Sequence, residues 1–365
     1  MQKIKDITSY LETIAPLSYQ ESYDNSGLLT GNPNEKVKGV LISLDCTEEV
    51  VDEAIQKGCN VIIAHHPIVF KGLKRFTGSN YIERTVIKAI KNDIAIYAIH
   101  TNLDNVLHGV SRKIANRLDL VHPKILSPKV NTLRKLVVFV PEAHSEQVTQ
   151  ALYAAGAGNI GNYSNCSFSS IGKGTFTPNE NATPVVGSPN REEIVDENRI
   201  EVVFPTHLQH QITTALKESH PYEEVAYYIS ELQNYNQEIG SGIIAELEKP
   251  MTHLTFLDYL KTKMNLTTIR HTRYTSDLIK RIAICGGSGS FLLAAAKKAN
   301  ADVFITADFK YHEFFDAEDE LMICDIGHYE SEVYTKDLIF EILNKKFTTF
   351  ALCLSEVNTN PISYF

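Results

Sequence analysis

Short apolar runs alternate with amphipathic stretches through the first third of the chain. Gly39-Val40-Leu41-Ile42-Ser43-Leu44-Asp45 and Val61-Ile62-Ile63-Ala64 are brief and nearly all apolar, the pattern of buried strands. Between them, Glu48 to Lys57 spaces its apolar residues as an amphipathic helix and stops at Gly58, the usual helix-ending residue. A helix near Tyr81–Lys91, the strand Ile94–Ile99 and a helix over roughly Val110–Leu118 continue the series. The last third resumes it. Arg281–Cys285, Asp302–Thr306 and Leu321–Asp325 read as strands, Phe291–Ala299 and Glu330–Asn344 as helices. Such alternation predicts an α/β domain with a largely parallel sheet covered by helices.

The middle of the chain has a different rhythm. Leu136–Val140 reads as a strand and Ser145–Ala155 as a helix. Gly156 to Ser188 is rich in Gly, Asn, Ser and Thr with sparse alternating apolar residues, which predicts hairpins and exposed loops. Arg199–Phe204 is another strand, Gln209–Glu218 another helix, and His220–Tyr228 a turn and strand. The resulting β-α-β-β-α-β order suits a small ferredoxin-like α+β module. The expected organisation is therefore an α/β core in two halves, residues 1–131 and 235–365, with an inserted domain at 132–234.

Composition narrows the class. With 365 residues, more than one domain is expected, and 43% apolar with 22% charged residues is ordinary for a globular chain. The net charge of −9 argues against a general nucleic-acid binder, while leaving room for a local basic pocket. No apolar run approaches membrane-spanning length, and the start, Met1 to Ile7, reads as an amphipathic helix rather than a secretory signal. The six cysteines are scattered without a CxxC pair, so neither a zinc ribbon nor a redox pair is expected. Scattered cysteines without a secretion signal fit a reducing cytosol, so a cytoplasmic location is expected.

The chemistry is expected beyond the carboxyl ends of the strands, where functional groups of parallel sheets gather. His65 and His66 end one strand, directly before Pro67. His100-Thr101-Asn102-Leu103-Asp104 follows the next, and Gly327-His328-Tyr329-Glu330-Ser331-Glu332 a third. Paired imidazoles at a buried strand tip are costly without partners, and metal coordination is a common way to satisfy them. His328 and Glu332, four apart at a helix start, can share one face. His65, His66, Asp104, His328 and Glu332 exceed one tetrahedral site and suit Zn, Mn, Fe or Ni more than Ca. Two divalent ions bridged by a carboxylate, with zinc preferred, is the natural reading, and such pairs usually serve hydrolysis or phosphoryl chemistry.

Other readings stand beside these. Asp104 could cap a helix, Glu332 could be a solvated helix residue, and His100 could hydrogen-bond near the ligands rather than bind metal. Gly286-Gly287-Ser288-Gly289 could cradle a phosphate or simply form a tight turn. Thr306, Asp308 and His312 could line the site, and Lys310 could attract an anion. His220, Tyr222, Glu223 and Glu224 read as turn, packing and solvated residues. No nucleophilic serine or cysteine motif is present.

Ala64-His65-His66-Pro67, His100-Thr101-Asn102-Leu103-Asp104 and Gly327–Glu332 resemble the three motifs of the Nif-three-like dinuclear metal-centre family. Its members are often labelled GTP cyclohydrolase 1 type 2 homologues. Tyr23-Asp24-Asn25-Ser26-Gly27-Leu28-Leu29, Cys285–Gly289 and Thr306-Ala307-Asp308-Phe309-Lys310-Tyr311-His312 match as well, in the same order. Ala307 departs from the glycine many relatives carry there. The resemblance implies that His65, His66, Asp104, His328 and Glu332 hold two ions, with Glu332 bridging and His100 close by; on chemical grounds His100, or another nearby residue, could relay protons. It implies a PII/CutA-like insert and a toroidal homohexamer, and no membrane partner is expected. The implied activity is metal-dependent hydrolysis of a nucleotide-like or other small substrate. A non-enzymatic metal-binding sensor is the alternative.

Overall fold

The computed structural model describes residues 2–273 and 278–365, so Met1 of the expected first helix lies outside the described residues. The chain divides into two compact units, residues 1–127 with 239–365, and residues 128–238.

The first unit contains two sheets. One has five strands in the order Gly27–Thr30, Ala95–Ala98, Val61–Ala64, Gly39–Ser43, Ala351–Leu354. The last four run parallel, and Gly27–Thr30 is antiparallel to its neighbour. Gly39–Ser43, Val61–Ala64 and Ala95–Ala98 are buried along their whole length, which explains their unbroken apolar sequence. The helix Glu48–Gln56 between the first two is capped by Thr47, whose hydroxyl accepts the Val50 N–H, and opens with Glu48 and Glu49.

The other sheet has six strands in the order Arg270–His271, Met322–Asp325, Val303–Ala307, Ile279–Ser288, Gly240–Met251, Val121–Pro128. Its three central strands, Met322–Asp325, Val303–Ala307 and Ile279–Ser288, are parallel. Arg270–His271 and Gly240–Met251 run against them. The expected parallel arrangement thus holds at the centre of each sheet and at the edge strand Ala351–Leu354, and fails at Gly27–Thr30, Arg270–His271 and Gly240–Met251. Ala351–Leu354 completes the sheet of the first half, and Val121–Pro128 belongs to the sheet of the second. This exchange stitches the two sequence halves together.

The second unit is a four-stranded antiparallel sheet in the order Ser167–Phe176, Glu193–Pro205, Leu133–Pro141, Tyr227–Leu232. The helices Ser145–Ala154 and Gln209–Ser219 pack on it through Val148, Leu152, Ile212 and Leu216, against Leu136, Val138, Ile200 and Phe204. The polar stretch after Gly156 supplies Ser167–Phe176, an exposed strand in continuous register with Glu193–Pro205.

Candidate metal centre

The carboxyl ends of both sheets of the first unit meet at one place. Val61–Ala64 delivers His65 and His66, Ala95–Ala98 leads to His100, and Gly39–Ser43 to Asp45. Val303–Ala307 leads to Asp308, and Met322–Asp325 to the one-turn helix His328–Glu332. Asp104 is the last residue of the short helix Thr101–Asp104 and the next helix is preceded by Gly109, so Asp104 caps neither.

The imidazoles share one orientation. Nδ1–H of His65 donates to the Ile99 carbonyl at 2.8 Å. Nδ1–H of His66 donates to Asp45 at 2.7 Å, that of His328 to Asp308 at 2.6 Å, and that of His100 to Asp24 at 2.7 Å. Carbonyls and carboxylates only accept, so each fixes the proton on Nδ1 and turns Nε2 inward. Nε2 of His66 and of His328 lie 2.9 and 3.0 Å from the same oxygen of Glu332, and 3.4 Å from each other. Nε2 of His65 lies 3.6 Å from Asp104 Oδ1 and 3.9 Å from the other oxygen of Glu332. The His100 ring centre is 5.3 Å from those of His65 and His66.

Two of these inward atoms, His65 Nε2 and Asp104 Oδ1, are buried with no hydrogen-bond partner among the described residues. Lone pair faces lone pair, an arrangement that is stable only with a cation or proton between them. Donor atoms of His66, His328 and Glu332 lie within 4.8 Å of one another, as do those of His65, Asp104 and Glu332, and of His65, His66 and His100. Imidazole nitrogens and carboxylate oxygens at such spacing fit a transition-metal cation, with the Nδ1 acceptors supplying the outer support typical of such sites.

Electrostatics agree with that fit. Burial disfavours a charged His66, but Asp45 and Glu332 overcome it and push its pKa up to about 10. Burial likewise opposes charge on His328, and Asp308 with Glu332 push it up to about 11. Burial raises the Glu332 carboxyl, yet His328, His65 and His66 hold it well below the usual range. Burial and the nearby Glu332 push Asp104 upward. The cluster thus draws positive charge into a buried place, which protons or metal ions can supply.

The glycine motif clears space. Gly286 and Gly287 N–H groups already donate to Ser111 and Ser331 hydroxyls, so they are not open to a phosphate. Gly287 has φ +65°, and a Cβ there would collide with the Glu332 carboxylate. Ala307 sits buried in its strand, and Asp308 takes the left-handed backbone with φ 60°, so the alanine is compatible with the turn. Thr306 donates to the Gly287 carbonyl. His312 packs on Tyr311 and Phe315, and neither it nor Lys310 lines the cavity over the cluster; Lys310 is exposed beside Glu313. In the second unit, Nε2–H of His220 donates to the Phe139 carbonyl and Nδ1 accepts the Tyr222 N–H, a turn role.

The roles of Asp24 and Asp45 as acceptors for His100 and His66 emerge only from the structure. Asp24 also accepts the Thr101 N–H and hydroxyl, and His100 and Thr101 hold its pKa low against burial. Asp45 accepts His66 with one oxygen and the Thr359 hydroxyl with the other. A cavity of about 1110 Å³ opens over the cluster, with Tyr23, Phe70, Lys71, Tyr81 and Phe291 in its walls.

Fold and site together define an α/β protein with a candidate His/carboxylate metal centre at the meeting point of two sheets. The chain belongs to the Duf34/NIF3 (NGG1p interacting factor 3) family, whose sequence profile matches residues 2–361. A Bacillus subtilis relative called GTP cyclohydrolase 1 type 2 homolog is 38% identical over 99% of this chain and 98% of its own. A crystal structure of a Bacillus cereus protein related to NIF3 superposes with a TM-score of 0.87 at 39% identity, covering 100% of this chain and 99% of that one. A Staphylococcus aureus structure gives a TM-score of 0.79 at 33% identity, over 100% of this chain and 99% of that one.

Proposed function

We propose that this protein is a dinuclear metal-dependent hydrolase acting on a nucleotide-like or other small phosphorylated or heterocyclic substrate. The observation that carries the reading is the pair of buried atoms His65 Nε2 and Asp104 Oδ1, without a hydrogen-bond partner among the described residues and facing each other beside Glu332. His65, His66, Asp104, His328 and Glu332 would hold two ions, with one Glu332 oxygen toward His65 and the other toward His66 and His328. When bound, a pair of divalent ions, zinc first among the candidates, supplies Lewis acidity and lowers the pKa of water. Asp45, Asp308 and the Ile99 carbonyl hold the imidazoles in the ligand tautomer. His100 has its Nδ1–H held by Asp24, so its Nε2 is the atom that takes up and releases a proton at the cavity floor.

The relatives called GTP cyclohydrolase 1 type 2 homolog support a nucleotide-like substrate. Family resemblance also leads us to expect a closed homohexamer in the cytoplasm and a PII/CutA-like identity for residues 132–234. Among the described residues, no helix is long and apolar enough to cross a membrane. A second reading, a metal-binding sensor without turnover, draws on the second unit, which has its own core and none of the five proposed ligands.

The test is a panel of nucleotides, dinucleotides and phosphoesters, tried with metal-reloaded wild type and His66→Ala. Turnover that needs metal and disappears in His66→Ala supports the hydrolase. No turnover on any compound with several metals would favour the sensor.

A further inference from the structure

The segment after the His65-His66 pair reads Phe70-Lys71-Gly72-Leu73-Lys74-Arg75-Phe76, three cations and no acid in a chain of net charge −9. All three cations are exposed, and among the described residues none of them has an ion pair or side-chain hydrogen bond. The nearest acid along the chain is otherwise engaged. The Glu83 carboxylate accepts the N–H and hydroxyl of Thr77, the N–H and hydroxyl of Ser79, and the Asn80 amide, at 2.8 to 3.1 Å. At the other root, the Asn25 amide donates to the Val69 carbonyl at 2.6 Å. Both ends of the loop are therefore fastened, and its cations are left to solvent.

The loop also borders the metal centre. Phe70, Lys71, Gly72 and Leu73 line the same cavity as His66, His100 and Glu332, and the Phe70 ring meets His100 edge-on at 5.6 Å. Tyr23, Tyr81 and Phe291 are further aromatic walls of that cavity, and exposure runs from 49% for Phe70 to 69% for Tyr23. Large aromatic side chains left in water around one cavity mark a binding surface. Ring faces accept flat rings by stacking, and Lys and Arg side chains accept phosphate oxygens.

We propose that residues 70–76 form a recognition loop for a flat aromatic ring carrying a phosphate group, which Phe70 stacks on the cavity side and Lys71, in the cavity wall, holds by its anion, with the exposed Lys74 and Arg75 next along the loop adding positive charge outside the lining. This deepens the hydrolase reading and rests on it for the direction in which the ligand faces. A free small ligand is the proposed occupant, because a cavity of about 1110 Å³ with His66, His100, His328 and Glu332 in its lining is of the size that takes one small molecule.

The experiment is isothermal titration of the full chain, zinc-loaded and metal-free, with guanosine, GMP, inorganic pyrophosphate and a ten-nucleotide single-stranded DNA. GMP should bind about tenfold more tightly than guanosine. The Lys71→Ala/Lys74→Ala/Arg75→Ala variant should lose that margin in both metal states while its guanosine affinity and zinc content stay unchanged. Phe70→Ala should weaken guanosine and GMP alike, by about fivefold. An unchanged GMP margin in the triple variant, or no binding of GMP to wild type, overturns the proposal. So does a DNA oligomer that binds more tightly than GMP, or a triple variant that changes the oligomeric state. Because the margin is read without metal as well, a failure of metal loading strikes the hydrolase reading and leaves the loop to be judged on its own result.

Discussion

Each proposed histidine ligand carries its own acceptor, and that acceptor decides which nitrogen faces the centre. His66 shows the arrangement at its fullest, with Asp45 on Nδ1 and Glu332 on Nε2. Asp45→Asn should keep the fold, since Asp45 is partly exposed, but weaken zinc binding by about 10–100-fold. Competition with a chromogenic chelator measures this, and unchanged affinity would make Asp45 irrelevant to the ligand set. At this scale the sequence reveals His65 and His66 because they abut a buried apolar run. It hides Asp45 and Asp24, which lie 21 and 76 positions from the rings they orient and reach them only through sheet register. The family-like segment around Asp24 was visible, but nothing in it points to His100.

The elements divide by burial. Strands covered on both faces, such as Val61–Ala64, are legible as apolar runs, whereas Gly27–Thr30 and Val121–Pro128 are only partly buried and blend with loops. The strand Ile279–Ser288 ends in glycines that look like a phosphate turn, yet they make room for Glu332. Gly287→Ala should therefore destabilise the protein by at least ~1 kcal/mol and lower its zinc content. Gly72→Ala, which meets no atom within 4 Å, is the control and should change neither. Thermal melts with elemental analysis read both quantities, and a Gly287→Ala protein with normal zinc would refute the close fit.

The root of the loop before helix Tyr81–Lys91 gives a pH-dependent element. Hydrogen bonds from Thr77 and Ser79 lower the Glu83 pKa from 4.5 to about 2. A carboxyl whose folded pKa is depressed stabilises fully above its unfolded value and loses that contribution as pH falls toward the folded one. Protection of the Thr77 and Ser79 amides from hydrogen exchange, corrected for intrinsic rates, should be full at pH 6 and decline between pH 4.5 and 2. Glu83→Gln should already show the weakened protection at pH 6, with faster trypsin cleavage after Lys71, Lys74 or Arg75. Equal protection in both proteins would remove Glu83 as the fastener.

At the scale of the whole molecule, the two-unit division has a simple chain path. The segment 128–238 leaves and returns at neighbouring points, for the Asn236 N–H lies 3.5 Å from the Lys129 carbonyl it donates to. Joining Pro128 to Ile239 through a short Gly/Ser linker should leave a soluble, zinc-binding protein, because all five proposed ligands belong to the other unit. An insoluble or zinc-free product, under conditions where the full chain is sound, would make the segment integral to the core. The strand exchange between the sequence halves was not legible, since strand pairing across more than 300 residues leaves no local pattern. The two sheets of the first unit together build the proposed paired metal centre. It is tested most directly by elemental analysis of zinc-reloaded wild type and Glu332→Ala. A bridging Glu332 gives two zinc ions per wild-type chain and loss of both in Glu332→Ala, because its carboxylate faces both sets of ligands. A reproducible ratio of one or less in the wild type, or a Glu332→Ala protein that keeps its zinc, would contradict it.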